Sequence, residues 1–130
     1  MRNLVKLTAI GAAAAATFGS GALLAADPPA GNAAAGKVVF AKCAACHTVV
    51  AGQNRLGPSL AGVIGRKAGS VAGYNYSPAM KAANRTWTKA ELDAYLANPR
   101  VRLPGVKMIF AGLPSPQDRA NLIAYLAAPQ

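Results

Sequence analysis

The chain carries two cysteines and one histidine, and all three fall within Cys43-Ala44-Ala45-Cys46-His47. On one helical turn, residues three and four apart share a face, so both thiols and the imidazole can address a single object. Two thiols can add across the vinyl groups of a haem to give thioethers, and the adjacent imidazole can bond the iron. The spacing is that of c-type haem attachment. Three plainer readings compete with it. A structural zinc site needs four ligands, usually Cys or His, and the sequence holds no others of either type. A thioredoxin-like dithiol expects alternating strand and helix patterns around it, which are missing. A Cys43–Cys46 disulfide would leave His47 unexplained. Covalent haem accounts for all three residues.

His47 fills one axial position on the iron. With no second histidine in the chain, a thioether is the natural sixth donor, and Met/His ligation raises a haem potential. Beyond the N-terminal segment the methionines are Met80 and Met108. Met80 lies in a short helical pattern, where methionine is ordinarily core filling. Met108 lies in "RLPGVKMIFAG", a proline-glycine segment able to carry a side chain across a flat ring. Local reasoning leans to Met108 and leaves Met80 open.

The elements that must position these groups read as helices joined by glycine-rich loops. Ala33 to about Cys46 is alanine-rich, with Val39, Phe40 and Cys43 on helical spacing and Asn32 as cap. Residues 48–73 show little periodicity and much glycine, which predicts loop. Ser77 with Pro78 behind it starts a short helix. Thr88 and Glu91 form a capping-box pattern, and the helix they open must stop near Asn98-Pro99. Ser115, Pro116 and Asp118 open a last helix with Leu122, Ile123 and Leu126 as its apolar stripe. No alternating strand of useful length is present, so the fold class is all-α. Large side chains are few: Trp87, four tyrosines and three phenylalanines. A chain of this size with so much loop needs something to fill its centre, and a flat apolar cofactor would do so.

The N-terminus has the pattern of a secretory signal. Arg2 and Lys6 precede an uncharged, alanine-rich run that ends in Leu24-Ala25-Ala26 before Asp27, the small-residue site a signal peptidase requires. Residues 1–26 are therefore expected to be cleaved, leaving 27–130 as one domain in the periplasm. A retained membrane anchor is the alternative, since the run nears the ~20 residues that span a bilayer. Cleavage removes two of the fourteen basic residues, so twelve stand against four acidic ones, a net charge of +8. The basic residues are scattered and match no nucleic-acid motif, so an acidic protein face is the expected partner.

The sequence resembles the class I c-type cytochromes, near mitochondrial cytochrome c and its soluble bacterial relatives. The likeness runs from about Gly36 to Leu126, through "GKVVFAKCAACHT", "GPSLAGVIGRKAG", "GYNYS", Trp87, "LANP", "PGVKMIFAG" and "LIAYL". It implies the class I cytochrome c fold, helices and loops wrapped around one covalently bound haem c. It places Met108 at the family's methionine ligand, opposite His47. It implies that the Pro58 carbonyl receives the histidine ring, that Arg66, Tyr76 and Trp87 surround the haem propionates, and that Tyr95 lies near the methionine sulfur. It puts Gly36, Phe40, Leu122 and Tyr125 where the first and last helices cross. Three features depart from the mitochondrial pattern. The loop from His47 to Gly57 is one residue shorter, Met80 replaces an asparagine of the pocket network, and Val106 replaces a threonine.

The function implied is one-electron transfer by a monomer between redox complexes of a respiratory or photosynthetic chain. Its partners would be acidic faces of a cytochrome bc complex, a terminal oxidase or a photosynthetic reaction centre. These would meet a haem edge ringed by Lys42, Arg55, Arg100 and Lys107. Two alternatives stand: a haem-bearing subunit of a larger oxidoreductase, and a haem peroxidase. The peroxidase needs an open iron site and a placed acid or base, and with His47 on the iron no histidine is left over.

Overall fold

A computed structural model describes residues 29–129. The expected leader, 1–26, lies outside the described residues. Five helices follow in order: α1 Ala33–Phe40, α2 Pro78–Ala82, α3 Lys89–Ala97, α4 Pro99–Arg102 and α5 Pro116–Ala127. Among the described residues there is no sheet, only an isolated antiparallel bridge between Lys67 and Thr86. No helix of the described residues is long and apolar enough to cross a membrane.

Each cap read from the sequence is made. Asn32, Ser77, Thr88 and Ser115 accept from the backbone N–H groups of Ala35, Met80, Glu91 and Asp118. Thr88 makes only half of the expected capping box. The Glu91 carboxylate turns away to Arg85 and Arg102. Two boundaries differ from expectation. The first helix stops at Phe40 rather than Cys46, because Ala41 N–H bonds to Val38 O and Lys42 N–H to Val39 O, three residues back, and the winding tightens. Residues 41–46 continue as turns mixing three- and four-residue hydrogen bonds, such as Cys43 N–H to Phe40 O at 2.8 Å and His47 N–H to Cys43 O at 2.9 Å. The haem motif therefore sits on a wound turn after the helix. The unexpected α4 arises because Asn98 both ends α3 and caps the next turn through Val101, with Pro99 at its first position.

The frame is the crossing of α1 over α5, with α3 against α5 and α4 beside α3. The crossing is close: a Cβ on Gly36 would lie 1.9 Å from Asn121 O, and one on Gly31 2.1 Å from Ala120 O. Buried Asn121 stitches the same contact, its Oδ1 accepting from Asn32 N–H at 2.8 Å and from Gln117 Nε2 at 3.0 Å. Phe40 and Tyr125 pack at 5.4 Å between ring centroids. The expected crossing residues do meet. The core comprises Val63, Ala68, Trp87, Leu92, Tyr95, Leu103, Leu113, Leu122, Ile123 and Leu126.

Candidate haem site

The site is built around His47. Its Nδ1 lies 2.7 Å from the Pro58 carbonyl oxygen. A carbonyl only accepts, so Nδ1 carries the proton and Nε2 keeps its lone pair for a metal. Burial pushes the His47 pKa down. The Pro58 bond opposes this by favouring the charged ring, and nearby Arg66 adds to the fall. The net effect is the neutral imidazole that a metal requires. Gly57 lies flat against the ring: a Cβ there would come within 2.3 Å of Cε1 and 2.8 Å of Nε2. The same residue donates its N–H to Cys46 O at 2.8 Å, which ties the loop to the motif. Sequence reasoning passed over Gly57 as loop punctuation. Its signal was only that it precedes Pro58.

Cys43 and Cys46 are free and half-buried. Burial, then the neighbouring Cys46, push the Cys43 thiol up, with Lys42 pulling weakly the other way. Cys43 therefore rests as a neutral thiol. Leu60, Ile64, Met80, Leu96, Val106, Met108 and Phe110 are half-buried and packed against the core. Such half-covered apolar side chains are available to an apolar cofactor.

The expected propionate residues come together around the Lys67–Thr86 bridge. Trp87 N–H donates to Arg66 O at 2.8 Å. The half-buried Arg66 guanidinium donates to Ala61 O at 2.9 Å and to Ser59 O at 3.0 Å. Tyr76 lies within electrostatic reach of Arg66. Its hydroxyl oxygen accepts from Val71 N–H at 3.2 Å, so its own proton remains to be donated. Ser59, which also donates to Val50 O at 2.7 Å, was another positioning residue the sequence did not reveal. Trp87 packs on Tyr95 at 4.9 Å between centroids. Burial pushes Tyr95 up to about 12, Arg85 opposing, so its hydroxyl stays protonated as a donor.

The residues present fit haem c: two free thiols, a neutral imidazole held through Nδ1 and half-buried thioethers among apolar side chains. The sequence also matches the family described as Cytochrome c over residues 33–128. The chain belongs to the cytochrome c family. It is 50% identical over 105 residues to cytochrome c of Guizotia abyssinica, covering 79% of this chain and 95% of that protein. It is 43% identical over 128 residues to cytochrome c-554 of Methylosinus trichosporium, covering 98% of this chain and 93% of that protein. The solved structure of cytochrome cH from Methylobacterium extorquens superposes with a TM-score of 0.71 at 45% identity, covering 74% of this chain and 97% of that one. Cytochromes c carry one covalently attached haem c, and Cys43 and Cys46 stand in its CXXCH motif. The chain is a class I c-type cytochrome, a haem-based electron carrier rather than an enzyme.

Proposed function

We propose that this cytochrome is an exported one-electron shuttle whose iron is held by His47 and Met108. Its docking face for acidic redox partners would be the basic surface beside the haem motif. The observation that carries the His47 reading is its 2.7 Å contact between Nδ1 and Pro58 O; Met108 rests on its place in the family's sequence pattern. Haem c, when bound, supplies one reversible ferric–ferrous electron. The rest is the work of the chain. The Pro58 carbonyl fixes the imidazole tautomer and raises the basicity of Nε2. The soft Met108 sulfur favours the ferrous form. Val106, Leu96 and Phe110 keep water from the crevice. Arg66, Tyr76 and Trp87 offer a cation and donors to carboxylates that could not otherwise be buried.

Several surface features support docking beside the motif. Arg55 Nη1 donates to Ala44 O, inside the motif, at 3.0 Å, so this cation is anchored there. Lys42 directly precedes Cys43 and is exposed. Leu56, 80% exposed, and Ile109, 88% exposed, flank the histidine-bearing and methionine-bearing segments with large apolar surface. Basic charge with apolar tips suits brief encounters steered by electrostatics. A cytochrome bc complex, a terminal oxidase or a photosynthetic reaction centre with an acidic docking face would each fit this surface.

The ligand assignment is tested by absorption of the ferric protein. Met108→Ala should abolish the weak red-region band of sulfur bound to ferric iron and lower the potential. Met80→Ala should keep the band. The opposite pattern would assign the sixth ligand to Met80.

A further inference from the structure

The carbonyl that receives His47 belongs to a peptide group held from its other end. Pro58 O, which accepts from His47 Nδ1 at 2.7 Å, and Ser59 N–H are the two ends of one amide unit. That N–H donates to Asn54 Oδ1 at 3.0 Å. Asn54 Nδ2 donates in turn to Ala72 O at 3.1 Å. A donor meets Oδ1 and an acceptor meets Nδ2, so the partners fix which way the side-chain amide points. The result is a run of three hydrogen bonds in one direction, from the imidazole through two amide groups to the backbone at Ala72. Asn54 is half-buried, and Ser59 is only 3% exposed, so its N–H depends on Asn54 for an acceptor.

We infer that Asn54 is a positioning residue that acts on the iron through the Pro58–Ser59 peptide, strengthening His47 as a donor and favouring the ferric state. Bonds in such a run polarise one another, and an amide that donates through its N–H accepts more strongly at its carbonyl. Pro58 O then pulls harder on the Nδ1 proton, and Nε2 becomes more basic. A more basic nitrogen stabilises the higher charge on iron. This inference rests on His47 as an iron ligand. Its sign separates it from a merely structural role. Loss of the polarisation favours ferrous iron, whereas a loosened loop admits water, which favours the more highly charged ferric site.

The test compares parent, Asn54→Ala, Asn54→Asp and Thr48→Val holoproteins by spectroelectrochemical titration and by the proton NMR signal of His47 Nδ1–H in the ferrous state. In Asn54→Ala the ferric-to-ferrous ratio at a fixed applied potential should fall about twofold, and the Nδ1 proton should move upfield as its hydrogen bond weakens. Asn54→Asp keeps an acceptor for Ser59 N–H and gives up only the bond to Ala72 O. Its Nδ1 proton should stay at the parent position or move downfield. Thr48→Val cuts the bond from Thr48 Oγ1 to Gln53 O at 2.8 Å, which loosens the same loop and leaves the run intact, so it should reproduce neither change. A ratio that rises in Asn54→Ala, equal falls in Asn54→Ala and Thr48→Val, or an upfield move in Asn54→Asp matching that in Asn54→Ala would overturn the inference while His47 stays on the iron. A parent whose His47 ring protons show no haem ring-current shift would overturn it together with the ligand reading beneath it.

Discussion

At the residue scale the chemistry was concentrated enough to read directly. Three ligating side chains in five positions leave few alternatives, and Cys43, Cys46 and His47 stand as a unit on one wound turn. Pro58 was placed only through likeness to a family, and the structure brings its carbonyl to the ring. Gly57 was not legible, because a glycine whose role is to have no side chain leaves no chemical trace in a sequence. Its role makes a sharp prediction. Gly57→Ala puts a methyl group 2.3 Å from the imidazole, so either the ring or the loop must move. It should cost about 1–3 kcal/mol of stability, measured by the denaturant midpoint, and should shift the haem spectrum. A variant with unchanged midpoint and spectrum would show that the ring has room to spare. Met80 and Met108 illustrate a different limit. Both are half-buried against the same core, so burial does not rank them, and only the variant spectra do.

At the element scale, the caps were legible because they are local: one side chain, one N–H, three residues apart. The early end of α1 was not, since alanine-rich sequence is indifferent between a regular helix and the tighter turns of 41–46. The role of Glu91 was misassigned for a related reason. Its capping partner is local, but Arg85 and Arg102 reach it from other segments, and charge won. Burial alone would raise the Glu91 carboxyl, but hydrogen bonds from Arg102 and Arg85, aided by their charge, hold it below the usual carboxylate range. A lowered folded value means that the stabilisation is present above the ordinary carboxylate pKa. It is lost as pH falls through the lowered one. Glu91→Gln should therefore be less stable than the parent at neutral pH, and the difference should shrink as the medium is acidified below about pH 4. Parallel stability curves across that range would remove the pair from the acid response. The helix crossing gives a second test. Gly36→Ala places a methyl group 1.9 Å from backbone oxygen, which no side-chain rotation relieves. A loss of about 3 kcal/mol or more in denaturant unfolding is expected, and a loss below 1 kcal/mol would mean the two helices separate easily.

At the scale of the whole molecule, net charge and surface arrangement decide whom the protein meets. The basic excess was plain in the sequence, but the bond state of each cation was not. Lys107 Nζ donates to Asn75 O at 2.5 Å, so it also fastens the methionine-bearing segment to the loop before α2. Lys107→Glu would therefore disturb structure as well as docking, and Lys42 is the cleaner probe. Electron transfer to an acidic partner should slow as salt rises, with screening over roughly 8 Å at physiological strength. Lys42→Glu should slow it at low salt and flatten that dependence, while Lys89→Glu, with the same change in net charge, should do less. Equal losses would show that only total charge matters. Processing belongs to this scale too: protein recovered from a bacterial periplasm should begin near Asp27, and full-length protein held in salt-washed membranes would indicate an anchor. The central proposal is an iron closed on both sides, by His47 and Met108, that moves electrons and binds nothing else. The most direct measurement is the visible spectrum of the ferrous holoprotein before and after carbon monoxide at neutral pH. An unchanged spectrum in the parent, with ready carbon monoxide binding in Met108→Ala, is expected; immediate binding by the parent would contradict it.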